Sequence, residues 1–589
     1  TDEAREDFLH AGGVYARALE VGRSAAALYW GEAARLIRIL NLEQNQGSFR
    51  EDIFGRVLAI VDSAETVSPH NSRTSNLRSQ VYWIRGEYEL NSGQDPTGSL
   101  DEAIRFASIA GELDPDDPRA HINLGTIYRF EASYLRRSGG DPRPSLERAI
   151  AACRRAIEID PDSTVAWLNL GTANYLVAAY EISAGGDPLD SLDEAARSYA
   201  ESIRVRPTFA AHSNSGLVHW QRAEHMRARG DDPRKSLEAA ARCFERAVEL
   251  NPTQGQVHSN RGLILLERAE VEAENGGDAA PWVERSLAVL ERAVDLNPSL
   301  AAAHNNLGNA HKMRAVVLMD AGQDPETSLA RARAAYERAI EIDSNLAYQY
   351  NNLGYSWELQ AEFDALTGGD PYPELEEARA QLVRALELDP TLAFAHHNLA
   401  VSYRTEARFL VEHDRDPAPA LERGRRAARA AIAANPELWD FHMVEGELDL
   451  VAVEWALEHG GPVDYFLTEA GRHLAEAQRL NSETPALLLR RARSSVLEAR
   501  WLVMRQADAS AAIETGLTAA DEGLAVDPTD PDFLVVKGRL HVLAARISTD
   551  EVLRREEAGR AVEALKSAEG LNPLLSGPCS PLIAEALQL

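Results

Sequence analysis

Small apolar side chains return along this chain at fixed distances before a recurring proline. The prolines are Pro69, Pro115, Pro161, Pro207, Pro252, Pro298, Pro390, Pro436, Pro528 and Pro573, with Ser344 and Ser482 in two of the places. Every step is 46 residues except two of 45. Five positions before the marker stand Ala110, Ala156, Ser202, Ala247, Ala293, Ala339, Ala385, Ala431, Ala477, Gly523 and Ala568. Twelve before it a second, mostly small set includes Ala103, Ala149, Ala195, Ala240, Ala332, Ala378 and Ala470. Small side chains at these spacings predict helices that approach closely and interlock. No stretch shows the strict alternation of a strand between hairpin turns. The pattern predicts an all-α chain.

A second polar punctuation falls inside each unit. A Gly-Gly-Asp-Pro-like turn recurs at Asp95-Pro96, Asp141-Pro142, Asp187-Pro188, Asp232-Pro233, Asp324-Pro325, Asp370-Pro371 and Asp416-Pro417, with Asp278 filling the missing place. Glycine accepts the left-handed backbone that a helix C-terminus needs. Aspartate then caps the next helix, and proline sits at its first turn without wasting a donor. The second helix stops ahead of the next Asn-Pro or Asp-Pro, because a residue before proline resists the α region. Each unit therefore predicts two antiparallel helices. Asn-x-Gly marks the middle of many first helices, as in Asn123-Leu124-Gly125, Asn169-Leu170-Gly171, Asn306-Leu307-Gly308 and Asn352-Leu353-Gly354.

These features resemble the tetratricopeptide repeat. The unit after Asp162 carries Trp167, Leu170-Gly171, Ala195, Tyr199, Ser202 and Pro207, matching the family's Trp, Leu-Gly, Ala, Tyr, small residue and Pro. Two features depart from it. Asn174 stands where the family has an aromatic, with Tyr175 one place later. The family's unit is roughly 34 residues, so the longer beat implies longer helices and turn; a first helix over 163–184 would run roughly 33 Å. The resemblance covers about residues 70–573 as about eleven repeats and implies a right-handed superhelical solenoid of antiparallel helix pairs. Residues 23–69 read as a degraded first copy, 1–22 as a lone helix, and 574–589 as a cap for the far end.

In the family the mid-helix asparagine faces the concave surface, and in some members a ladder of such residues holds the backbone of an extended peptide. Here the position recurs as Asn123, Asn169, Asn214, Asn260, Asn306, Asn352 and Asn398. An amide side chain offers one acceptor group and two donors, the complement of a peptide unit. Two roles stay open: holding a peptide, or bracing the neighbouring repeat. Three residues on stand Asn309 and Tyr355, six on stand Lys312 and Arg404, and Tyr348 precedes one rung. Aromatic area, adaptable polar groups and cations in one groove suit a peptide. Lys312 and Arg404 resemble the clamp by which some family members grip a C-terminal carboxylate, although its Lys-x-x-x-Asn signature is absent.

Composition narrows the partner. Across 589 residues the formal charge is −31, which disfavours nucleic acid and anionic membrane surfaces and favours a basic or neutral protein segment. A hydrophobic share of 45% is that of a folded chain. No apolar run approaches the length of a membrane span, and a cytoplasmic setting is expected. Three scattered cysteines, Cys153, Cys243 and Cys579, make no disulfide framework. No metal-binding, phosphate-cradling or nucleophile motif is present, so no cofactor, metal or catalytic role is expected. The leading expectation is a scaffold that binds a peptide or partner segment in its groove. Two alternatives stand beside it. Repeats with this stretched turn resemble the C-terminal regions of large bacterial Ser/Thr protein kinases, which would make the chain a sensing region. A solenoid with dissimilar ends could also self-assemble head to tail.

Overall fold

The computed structural model describes residues 11, 14–19, 21–22, 24–44, 48–481 and 484–589. The expected lone helix at 1–22 lies largely outside the described residues, as does the marker Ser482. The chain forms two compact units, one of residues 1–226 with 238–251 and one of 227–237 with 252–589. No strand occurs among the described residues. Each unit is a stack of antiparallel helix pairs.

In the first unit the pairs are Ala26–Gln44 with Glu51–Val67, Ser72–Asn91 with Thr97–Leu113, Pro118–Arg137 with Arg143–Ile159, and Thr164–Ser183 with Leu189–Val205. Most of Phe209–Ala228 and the later part of Arg234–Leu250 complete it. The second unit begins with Gly255–Glu274 and Ala280–Leu296, then Ala301–Asp320 and Glu326–Ile342, then Ala347–Leu366 and Tyr372–Leu388. It continues through Ala393–Glu412 with Ala418–Ala434, Trp439–His459 with Val463–Leu480, Pro485–Met504 with Ser510–Val526, and Pro531–Ile547 with Glu551–Leu571. A 3₁₀ turn, Pro573–Leu575, leads into a last helix, Ser576–Ala586, which packs on the final pair and buries Cys579.

The turns form as their residues dictate. The first glycine of each pair takes a left-handed backbone, with φ +77° at Gly139 and +72° at Gly185. The next N–H then bonds back five residues, Gly140 to Leu135 and Gly186 to Glu181, both at 2.7 Å. Each turn aspartate accepts the amide two residues on: Asp141 from Arg143 at 3.0 Å, Asp324 from Glu326 at 2.8 Å. The prolines between are already helical, with φ −81° at Pro142.

Close approach decides which residues are small. Ala110, Ala156, Ala293, Ala339 and Ala385 have no exposed surface. The mid-helix glycine has the same cause. A Cβ on Gly171 would fall 2.7 Å from Cε1 of Tyr199, and one on Gly308 would fall 2.5 Å from the same atom of Tyr336. Those tyrosine rings, 1% and 0% exposed, pack against the glycines and fill the seam between the two helices of a pair.

Within the second unit each first helix packs on the next first helix, whereas second helices make no comparable contact with one another. Each pair is thus a wedge, and the stack bends toward its first helices. The bend is tight enough that late pairs meet early ones. Asn572 Nδ2 donates to the Met319 carbonyl at 3.5 Å. Gly322 lies against Asn572 and Pro573, and Gly276 against Val526 and Asp527. Burial at this contact, reinforced by Asp530, Asp532, Glu362 and Asp527, pushes the Asp320 carboxyl up to about 6.

Candidate functional site

The asparagines engage the seams between successive pairs. Asn123 Nδ2 donates to Asn76 Oδ1 at 3.2 Å, Asn169 Nδ2 to Thr126 Oγ1 at 2.9 Å, and Asn306 Nδ2 to Ser259 Oγ at 3.2 Å. Asn352 and Asn398 donate to Asn305 and Asn351 at 3.0 and 2.9 Å. In four of these five bonds the acceptor lies 47 residues back, on the preceding first helix. Asn214 reaches the Tyr199 hydroxyl, and Asn260 Oδ1 accepts from Gln256 at 2.9 Å. Of the two roles left open by the sequence, these bonds are those of the brace.

A brace has an energetic consequence. Asn351 is buried, and its Oδ1 depends on Asn398 for a donor. Asn398→Ala is expected to lower stability by about 1–3 kcal/mol, the cost of leaving a buried acceptor without its bond. Urea unfolding followed by circular dichroism checks this. An unchanged midpoint would return the amide to a ligand-holding role.

The remaining candidates gather around the middle of the second unit. Lys312 Nζ lies 5.0 Å from the centroid of the Tyr355 ring, a cation–π contact. Asn309 Oδ1 accepts from the Tyr336 hydroxyl at 2.7 Å. Tyr348, two turns before Tyr355 on the same helix, is 40% exposed. Arg404 is 12% exposed at its side chain and ion-pairs with Glu447 at 2.6 Å. Glu447 also takes Arg490 at 2.6 Å through its other oxygen. Burial alone would raise the Glu447 carboxyl, but Arg404 and Arg490 together hold it well below the ordinary range. The same carboxylate, with Glu362 and Glu358, keeps Arg404 firmly charged against its own burial.

Beside this triad lies a cavity of about 230 Å³, with Tyr355, Arg404, Glu358, Glu362, His397 and Asp440 in its wall. The helices Ala347–Leu366, Ala393–Glu412, Trp439–His459 and Pro485–Met504 position these side chains. Glu358 is 1% exposed; its Oε1 accepts from Thr405 at 2.8 Å, while Oε2 has no hydrogen-bond partner. Burial, helped by Glu362, pushes this carboxyl up to about 7. His397 Nε2 stands 3.2 Å from Asp440 Oδ2, with Nδ1 buried and unbonded.

Sequence reasoning missed Glu358, Asp440, Glu447 and Arg490, and gave His397 no role. The register held a signal for most of them. Glu358 follows Asn352 by six residues, as Lys312 follows Asn306 and Arg404 follows Asn398. One repeat beyond Asn398 the ladder place is Val444, with Glu447 three residues later, and the next ladder place is Arg490. Loss of the asparagine at Val444 also leaves His397, which occupies the acceptor place of Asn305 and Asn351, without the seam donor its counterparts receive. The adjacent His396 instead engages the Pro390 carbonyl at 3.1 Å, a contact repeated by His258, His304 and His442 with the prolines of their own units. Among the described residues no group of three or more His, Cys, Asp or Glu side chains converges to hold a metal ion. None of the described helices is long and apolar enough to cross a membrane.

No family model matches the sequence. No curated protein matches it. Solved structures similar to the chain include human IFIT1, as a dimer with PPP-AAAA, at 15% identity and TM-score 0.45, covering 79% of this chain and 90% of that one. Yeast Tom70 is similar at 14% identity and TM-score 0.34, covering 87% and 96%. YrrB, described as a TPR protein with an unusual peptide-binding site, is similar at 18% identity and TM-score 0.26, covering 40% and 92%. By its own geometry, paired antiparallel helices with small residues at the crossings and capped turns between them, the chain is an all-α, tetratricopeptide-like repeat array.

Proposed function

We propose that this chain is a binding scaffold, without catalysis of its own, that holds an extended segment of a partner protein along the first helices of its second unit. One observation carries the reading. Around the Arg404–Glu447–Arg490 triad the wall formed by first helices keeps buried charge and a polar cavity, where apolar side chains of similar volume would pack at no loss of stability. Stability does not account for such groups, and the cavity beside them supports a ligand as what they serve. Tyr355, Lys312 and the exposed Tyr348 add aromatic and cationic surface to the same helices. The formal charge of −31 favours a partner segment of basic or neutral character over a nucleic acid.

Free cysteines, two of the three buried, suit a reducing cytoplasmic setting. The resemblance to the repeat regions of bacterial Ser/Thr kinases would place the same scaffold in a signalling protein.

A display library of random short peptides, panned on the intact chain, tests the proposal. Enrichment of a sequence class that a Tyr355→Ala/Lys312→Ala variant no longer selects is the expected result. No enrichment over a bare support would defeat it.

A further inference from the structure

We propose that the cavity beside the triad is a specificity pocket for one basic side chain, the guanidinium or ammonium of an arginine or lysine in the bound segment. This rests on the scaffold reading above and names what the scaffold selects.

The argument is a charge count made on geometry. Four carboxylates line the cavity, Glu358, Glu362, Asp440 and Glu447, against two guanidiniums. Arg404 and Arg490 are both committed to Glu447, one to each oxygen. That leaves Glu358, Glu362 and Asp440 facing the space, with only His397 close to Asp440. Glu358 aside, three carboxylates, Glu362, Asp440 and Glu447, still outnumber the two guanidiniums, so the pocket keeps an excess of acidic groups.

Depth adds a second observation. Asp440, 39% exposed at its side chain, sits toward solvent, whereas Glu358 is 1% exposed. The floor thus holds a buried carboxylate oxygen, Glu358 Oε2, that no donor in the protein reaches. Buried acceptors are nearly always satisfied. A cationic donor entering past Asp440 would satisfy this one and neutralise the excess charge. Tyr355, with Lys312 already over its ring, borders the pocket and suits the stem of a long basic side chain. The volume of about 230 Å³ admits one such side chain.

Binding should be coupled to protons. With the pocket empty, burial holds the Glu358 carboxyl protonated up to about 7. A cation favours its ionised form, so binding releases a proton and affinity rises as pH increases through that range. The groups facing Glu358 are Tyr355 and Glu362 on its own helix, His397, Arg404 and Thr405 on the next, Asp440 and Glu447 on the third, and Arg490 on the fourth. His397 stands in the same wall, and burial disfavours its protonation.

The test uses the intact chain and peptides with the sequence Ala-Ala-Xaa-Ala-Ala, blocked at both ends, in which Xaa is arginine, lysine or the neutral isostere citrulline. Calorimetry is run at pH 6 and pH 8. The arginine or lysine peptide is expected to bind at least about tenfold more tightly than the citrulline peptide. Glu358→Gln, which keeps the acceptor for Thr405 and removes the ionisation, should abolish both that preference and the pH dependence, with helicity unchanged. Equal binding of the citrulline peptide, or indifference to Glu358→Gln, overturns the pocket while the scaffold reading stands. Binding of blocked free arginine but of no peptide overturns both. Absence of any basic-peptide binding at millimolar concentration overturns the pocket, and the display library then judges the scaffold separately.

Discussion

Glu447→Gln is expected to cost the second unit about 3–5 kcal/mol, because it removes the one carboxylate that two poorly exposed guanidiniums share. Arg404 and Arg490 are 12% and 20% exposed at their side chains, and each donates to a different oxygen of Glu447 at 2.6 Å. Glutamine keeps the shape but turns one of those oxygens into a donor facing a donor. Loss of the pair is worse than its replacement by apolar groups, since what remains is a buried, uncompensated charge. The pH dependence has a definite sign. The Glu447 carboxyl is held below its ordinary range, so its stabilisation is complete above the unfolded carboxylate pKa of about 4.3 and declines as pH falls beneath it. Denaturant midpoints of the two proteins should therefore differ most near neutrality and converge in acid. A difference that grew in acid would mean the triad does not hold Glu447 as described.

The second large effect concerns the glycine–tyrosine seam. Tyr336→Ala removes a ring with no exposed surface, and an emptied aromatic site costs about 3–5 kcal/mol. Gly308→Ala alone should cost about 1–3 kcal/mol, because its new methyl group would fall 2.5 Å from the Tyr336 ring. Together the two changes should cost less than their sum, since the methyl then meets the space the ring has left. A double-mutant cycle reads this coupling directly. Strict additivity would show that the glycine is set by something other than the ring.

The fold was legible because its determinants are local. A glycine that must take positive φ, an aspartate two residues before a free amide, and alanines at a helix crossing each leave a residue type that almost nothing else explains. Gly139, Asp141 and Ala156 are of this kind, and the helix pairs follow from them. The asparagines were ambiguous for a physical reason. Their spacing fixes the face of the helix but not whether the amide turns toward a ligand or toward the preceding helix, and the latter depends on what stands 47 residues earlier. The cavity was less legible still. Glu358, His397 and Glu447 matter because three helices bring them together, and the regular array hides them: each occupies a repeat position whose usual occupant does something else. Reading the departures from the repeat, at Val444 and Arg490, would have pointed closer than reading the repeat itself.

The meeting of Asn572 with Met319 and of Gly276 with Asp527 changes how the second unit should come apart. In an open array each repeat depends only on its neighbours, so unfolding can begin at a free end and spread stepwise. Here residues at turns about 250 positions apart in the chain touch, which closes the middle and late repeats into a hoop. Fraying at the last helix exposes the turn near Met319 as well, so the late repeats gain a second tether and the hoop gains cooperativity that a simple stack lacks. For a partner segment of the kind proposed above, the same hoop would act as an enclosure around the first helices.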